Sequence, residues 1–163
     1  MPTLESFRTF VFRSAATIPA WKRSVSAPLM PVRFSQRTRM VSFVAHEIAF
    51  RSESNCVDTS HLVLALLDDP GALAVLQNAG ADVPALRRAM KQRLMPAPEG
   101  MKRDAILPKS SGIHKAWADA HTIADGQGAH SIEPEHLLQA LVISDGRLSN
   151  VTKDLIASGF APA

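Results

Sequence analysis

From Phe34 onward, apolar residues recur at three- and four-residue intervals. Thr38, Val41, Val44, Ala45, Ile48 and Ala49 make one stripe, which is the 3.6-residue period of a helix with one face turned to a core. The small and polar run SESNCV breaks it. Asp58, Thr59 or Ser60 can cap a second helix with apolar positions Leu62, Val63, Ala65, Leu66 and Leu67. Asp68-Asp69-Pro70-Gly71 then reads as its stop. ALAVLQNAG predicts a short third helix, with Gly80 as a left-handed terminator. VPALRRAMKQRL predicts a fourth starting near Pro84, a residue suited to a first turn. Residues 95–108, with three prolines and mixed charge, read as a linker. Beyond them the pattern restarts. Ile113, Ala116, Trp117, Ala120, Ile123 and Ala124 form a second stripe, DGQGAHSI a second break, and Glu133-Pro134-Glu135-His136 a second helix opening. No segment reads as a strand, because Tyr is absent and the β-branched residues are scattered.

The restart is a repeat. DTSHLVLALLDDPG, from Asp58 to Gly71, and EPEHLLQALVISDG, from Glu133 to Gly146, share His-Leu, Ala-Leu and a closing Gly at an offset of 75 residues. At that offset Val41 meets Ala116, Ala45 meets Ala120, Ala49 meets Ala124, and Val57 meets Ile132. Past the closing Gly the register slips by four, so that Gly80 faces Gly159, and the second copy lacks a fourth helix. The expected fold is all-α: two tandem, pseudo-symmetric four-helix repeats, the second truncated. Their expected extents are 34–94 and 109–163, behind a flexible basic N-terminal extension of residues 1–33.

Charge changes the picture less than its total suggests. The sequence pI is about 9.4. Residues 1–33 carry five basic side chains and one acid, whereas 34–163 carry 13 and 14, so the basicity belongs to the leader. A phosphate-binding body would need its own cationic face. Arg87, Arg88, Lys91, Arg93, Lys102 and Arg103 are the one local patch. They leave open a second reading, a small helical regulator associated with nucleic acid. The Arg- and Ser-rich, acid-poor leader fits a transit peptide or a disordered extension. The expected location is cytoplasmic, or an organelle if the leader is a targeting signal. Trp21, beside Lys22 and Arg23, reads as exposed, and Trp117 as core. No run approaches the roughly 18–20 apolar residues that cross a bilayer.

Chemistry-bearing constellations are sparse. The single Cys56 rules out an internal disulfide and a multi-cysteine metal site. It reads as a loop residue, the other reading being a thiolate activated by His61. Among six histidines there is no His-Glu-x-x-His and no pair at i, i+4; His114 and His121, with Asp119 or His130, are the nearest approach to a metal site, and none is expected. No Gly-x-Ser-x-Gly elbow occurs, and Ser110 near His114 lacks an orienting third group. No enzyme and no cofactor are expected.

A helix, a short break, Thr-x-His-Leu-x-x-Ala-Leu, a Gly-terminated helix and an Arg/Lys-rich helix together resemble the Clp N-terminal repeat. That repeat occurs twice in the N-terminal domain of the Hsp100/Clp AAA+ unfoldases, and the first copy here most resembles the ClpA and ClpC versions. The resemblance spans about 34–160. The ATP-binding string, GxxxxGK followed by Ser or Thr, does not occur. The resemblance therefore implies a recognition domain without its motor: non-catalytic, monomeric, and partnered with a Clp ATPase, its adaptor or its substrate proteins. A relic of a longer unfoldase is the other implication. In some members the acid before the motif His contacts phosphoarginine. Glu135 stands there in the second copy and Ser60 in the first, so half of a paired site is missing. Capping of the first helical turn is the structural role open to Glu135. The implied partner-binding residues lie at the two helix starts: Asp58, Ser60 and His61, and Glu133, Glu135 and His136. The two histidines are also expected to bond backbone near the junction of the copies.

Overall fold

Four short polar side chains set the helix starts. Ser35, Asp69, Asp82 and Ser110 accept hydrogen bonds from the amides of Thr38, Ala72, Ala85 and Ile113, each three residues on, which satisfies donors that no helical carbonyl can reach. The computed structural model describes residues 33–97, 99, 106–143 and 150–160. In it, α1 (Gln36–Arg51), α2 (Thr59–Leu66), α3 (Pro70–Asn78) and α4 (Val83–Gln92) form the first set of helices. The second set is α5 (Ser111–Gly126), α6 (Pro134–Ile143) and α7 (Asn150–Ala157). The readings placed on residues 1–32, including Trp21, and on Lys102 and Arg103 lie outside the described residues.

The Asp68–Gly71 segment does more than stop α2. Asp69 caps α3, whose first turn holds Pro70. Gly80 ends α3 at φ 77° as expected, and Gly159 follows α7 at φ 96°. The two corners touch: a Cβ on Gly159 would lie 3.2 Å from the Gly80 carbonyl.

The fold is all-α as expected, and two small strands correct only the reading that no segment is extended. β1 (Arg33–Phe34) pairs in parallel with β2 (Ser131–Ile132), Phe34 opposite Ile132. A second parallel bridge joins Val57 to Lys109. The two are one contact made twice, since 34 and 109, and 57 and 132, are each 75 apart. Residues just before a helix cap are extended, and there each copy borrows the other's backbone hydrogen bonds. Two-residue, non-local pairings leave no alternating pattern in a sequence.

All described residues belong to one compact unit, 32–163. Within a set, α1 packs on α2 and α5 on α6; between sets, α3 packs on α6 and α4 on α7. One core therefore serves both, with Leu62, Leu66, Leu76, Leu86 and Met90 of the first set packed with Ile113, Leu137, Leu138 and Leu155 of the second. The connecting stretch is held at both ends. Ala97 N–H donates to the Glu53 carbonyl (2.7 Å), Leu107 is buried, and its N–H donates to His46 Nε2 (3.0 Å). No single helix among the described residues is long and apolar enough to cross a membrane.

Candidate functional site

The two copies present their motif residues through the same local device. The Asp58 N–H donates to His61 Nδ1 (2.9 Å), and the Glu133 N–H to His136 Nδ1 (3.0 Å). Each histidine thus reaches back over its own helix start, as the third helical residue does in a capping box. With Nδ1 an acceptor, the proton sits on Nε2. His61 Nε2 then faces the hydroxyls of Ser54 (3.1 Å) and Ser52 (3.3 Å), and His136 Nε2 faces Gln127 Oε1 (3.1 Å). Burial lowers the pKa of His61, against the opposing pull of Asp58. Burial therefore favours the neutral form of His61, in a structural role.

Burial sorts the six residues of the helix starts. Ser60, His61 and His136 are buried, leaving Asp58, Glu133 and Glu135 partly open to solvent. Asp58 accepts from Ser110 Oγ (2.8 Å), where the start of α5 meets the start of α2. Glu133 and Glu135 lie at the other crossing and converge on Arg37, in the first turn of α1. Its guanidinium contacts Asp69 (2.5 Å), Glu135 (2.8 Å) and Glu133 (3.7 Å). Sequence reasoning misses this clamp, since Arg37 is 32 residues from Asp69 and 98 from Glu135. Its trace in the chain is an asymmetry at the 75-residue offset: Arg37 and Glu135 on one side, Gly112 and Ser60 on the other.

The clamp's electrostatics are shared unequally. Hydrogen bonds to Asp69 and then Glu135 raise the pKa of Arg37 still further. Burial alone would raise that of Asp69, but the Arg37 guanidinium and the Ala72 amide outweigh it and hold the carboxylate below its ordinary value. Asp69 is 8% exposed and Arg37 44%, so the pair is anchored on the aspartate and open on the arginine. Gly71 makes room for it: a Cβ there would run into the Arg37 guanidinium and the Glu135 carboxylate.

Beside the clamp lies a cavity of about 390 Å³ between α1 and the α2–α3 corner. Met40, Val41, Val44 and Ala65 give it apolar walls, and Arg37, Asp68 and Asp69 a charged end. On the open side of α1, Met40 is 54% and Phe43 63% exposed.

The remaining candidates separate cleanly. Arg87 is tied to Asp68 (2.8 Å) and Arg93 to Asp154 (2.6 Å), so two of the six patch cations hold the fold together. Burial, then Asp58, pushes the Cys56 thiol's pKa up, against its use as a thiolate. No His, Cys, Asp and Glu cluster suited to a metal occurs among the described residues. Trp117 is half-buried, packed against the core on one side and lining a cavity on the other.

Comparison with known proteins agrees with this geometry. The Clp repeat (R) N-terminal domain family model matches residues 33–155. Chaperone protein ClpB 1 of Parasynechococcus marenigrum (strain WH8102) is 31% identical over 115 residues, which is 69% of this chain and 13% of that protein's length. The N-terminal domain of Hsp104 from Candida albicans superposes with a TM-score of 0.65 at 15% identity, over 76% of this chain and 81% of that one. The N-domain of ClpV from Vibrio cholerae does so with a TM-score of 0.64 at 17% identity, over 78% and 77%. At such identities the structural likeness is one of fold. The duplicated motif, the cross-braced helix starts and the match over three-quarters of its length place the chain in the Clp repeat (R) N-terminal domain family, to which it belongs.

Proposed function

We propose that this chain is a non-catalytic recognition module that docks a segment of a substrate or adaptor protein and presents it to a Clp-type ATPase carried on another chain. The observation that carries the reading is the α1 cavity. An apolar floor of Val41, Val44 and Ala65 opens beside Met40, and Phe43, three residues further along α1, is a second large side chain left in water. Large exposed apolar groups around a concavity are what protein-binding sites need. The charged end, Arg37 with Asp68 and Asp69, would orient the bound segment.

Phosphoarginine recognition fits less well. A guanidinium ligand would use Glu135, yet that carboxylate already serves Arg37, and the matching position in the first copy is a buried serine. Modified arginine would have to displace an internal partner first.

The test is capture by the full chain from its native lysate, scored by mass spectrometry, against Met40→Asp and Phe43→Asp. Recovery of a Clp ATPase, its peptidase or a Clp adaptor, reduced about tenfold or more by either substitution, is the expected result. Recovery of nucleic acid with a steep salt dependence, or of no Clp component above background, overturns the reading.

A further inference from the structure

The first residues of α1 and α5 enclose a second cavity that shares no lining residue with the first. It measures about 360 Å³ and is walled by Phe34, Thr38, Arg39 and Ser42 from one copy and Lys109, His114 and Trp117 from the other. All but Thr38 fall into three pairs at the 75-residue offset: Phe34 with Lys109, Arg39 with His114, Ser42 with Trp117. The cavity therefore lies where the two copies face each other about their pseudo-symmetry relation, and the copies have diverged to furnish it. Each position that is not a cation in one copy carries an aromatic ring or a hydroxyl, and no lining residue is an acid.

The two rings brace each other. Phe34 belongs to β1, fixed by its pairing with Ile132, and its ring meets Trp117 edge to face, 4.9 Å between centroids at 77°. Lys109 Nζ stands 5.6 Å from the Trp117 centroid. The Trp117 indole N–H, itself shut off from water, has no acceptor among the described residues. Among the described residues the cavity's cations have no carboxylate partner. Arg37, Arg51, Arg87 and Arg93 all pair with carboxylates, whereas none of the ion pairs among the described residues uses Arg39 or Lys109. Such cations over aromatic walls favour an anion that carries a flat apolar group. A volume near the low end of the roughly 300–1,000 Å³ range of ligand pockets suits one side chain and its neighbours. Arg and Lys side chains take phosphates as well as carboxylates, which makes ATP, an anion that also brings a flat ring, the competing outcome of the test.

We propose that this cavity is a binding site for an acidic polypeptide segment with an aromatic anchor, the ring seated against Phe34 and Trp117 and the flanking carboxylates on Arg39 and Lys109.

The full chain carrying Trp21→Phe leaves Trp117 as its single tryptophan, so its emission reports the site. The probe is the blocked peptide Gly-Glu-Asp-Phe-Glu-Asp-Gly. Saturable change in Trp117 emission is expected, with affinity reduced about tenfold by Lys109→Glu and by Arg39→Glu and unchanged by Arg88→Glu, an exposed cation elsewhere. Lys109→Ala, confirmed folded by circular dichroism, covers the case in which charge reversal disturbs the bridge to Val57. Equal binding of the Phe-to-Ala peptide would reduce the effect to general charge attraction and overturn the proposal. So would tighter binding of ATP, equal binding of the Lys/Arg-for-acid peptide, or indifference to both Lys109 variants.

Discussion

The two crossings between the repeats share a backbone and differ in charge. At one, the Ser35 N–H donates to the Ile132 carbonyl (3.1 Å); at the other, the Ser110 N–H donates to the Val57 carbonyl (2.9 Å). The side chains then part company. Arg37 draws Asp69, Glu133 and Glu135 together at the first crossing. At the second, Gly112 stands in the place of Arg37, and the polar contact is Ser110 Oγ to Asp58 (2.8 Å). The scaffold is thus a property of the duplicated pattern, and the chemistry is a property of each copy. The motif acid survives only where an internal arginine answers it.

The largest test of that contrast is Asp69→Ala. It removes the cap of α3 and leaves Arg37 facing two carboxylates on the far side. The cap alone is worth about 1 kcal/mol. Because Arg37 is 44% exposed, the ion pair is discounted for solvent screening, and a total of about 2–3 kcal/mol is expected. Ser110→Ala, at the second crossing, should cost about 1 kcal/mol, the worth of one cap. Urea unfolding in 0.05 M and 0.5 M NaCl separates them: part of the Asp69 effect should fade with salt and the Ser110 effect should not. Equal losses, equally salt-blind, would erase the distinction between the crossings.

Acid sharpens the comparison next. The folded-state pKa of His61 is lowered from 6.5, so as pH falls below about 6.5 the unfolded chain takes up the proton first. Stability present above that value is lost until native His61 protonates too. Asp69 is also lowered, from 3.8; its contribution persists above the unfolded value and disappears as pH falls through the folded one. Two successive losses are expected in Tm measured from pH 7.5 to 3. His61→Gln, which keeps an acceptor and a donor, should cost about 1 kcal/mol at pH 7.5 and abolish the first loss only. A first loss that persists in this variant would assign it to another group.

What the chain discloses in advance follows from how local each feature is. The stripe of α1 is plain, because Thr38, Val41, Ala45 and Ala49 are buried on one face at helical spacing, and α5 repeats it with Ile113, Ala116, Ala120 and Ala124. The backbone bonds of His61 and His136 are local too, each spanning three residues. Asp69 is half-legible: DDPG announces a break, but whether the aspartate ends one helix or caps the next depends on where α3 packs. Arg37 is illegible alone, since an arginine in a first turn has no pattern, and its partners come from two distant helix starts. Trp117 is half-legible too, since it packs against the core as its spacing predicts. The stripe's edge at that point also faces a cavity.

The smallest expected effect isolates the clamp itself. Gly71 in α3 and Gly112 in α5 are both second residues of their helices, so Gly→Ala gains a similar propensity at each, up to about 1 kcal/mol. At Gly112 the new Cβ would lie 3.1 Å from the Thr59 methyl, a contact that a small shift relieves, and the net change should be within about 0.5 kcal/mol of zero. At Gly71 it meets the Arg37 guanidinium and the Glu135 carboxylate. These are ends of flexible chains and can swing away, but only by giving up their contact, so a net loss of about 0.5–1 kcal/mol is expected. In an Arg37→Met background that loss should vanish or reverse, because the guanidinium is no longer there to displace. The double-mutant cycle therefore carries the decision. A Gly71→Ala cost that is unchanged by Arg37→Met would mean that the glycine is required by the backbone of the α2–α3 corner and not by the ion cluster packed over it.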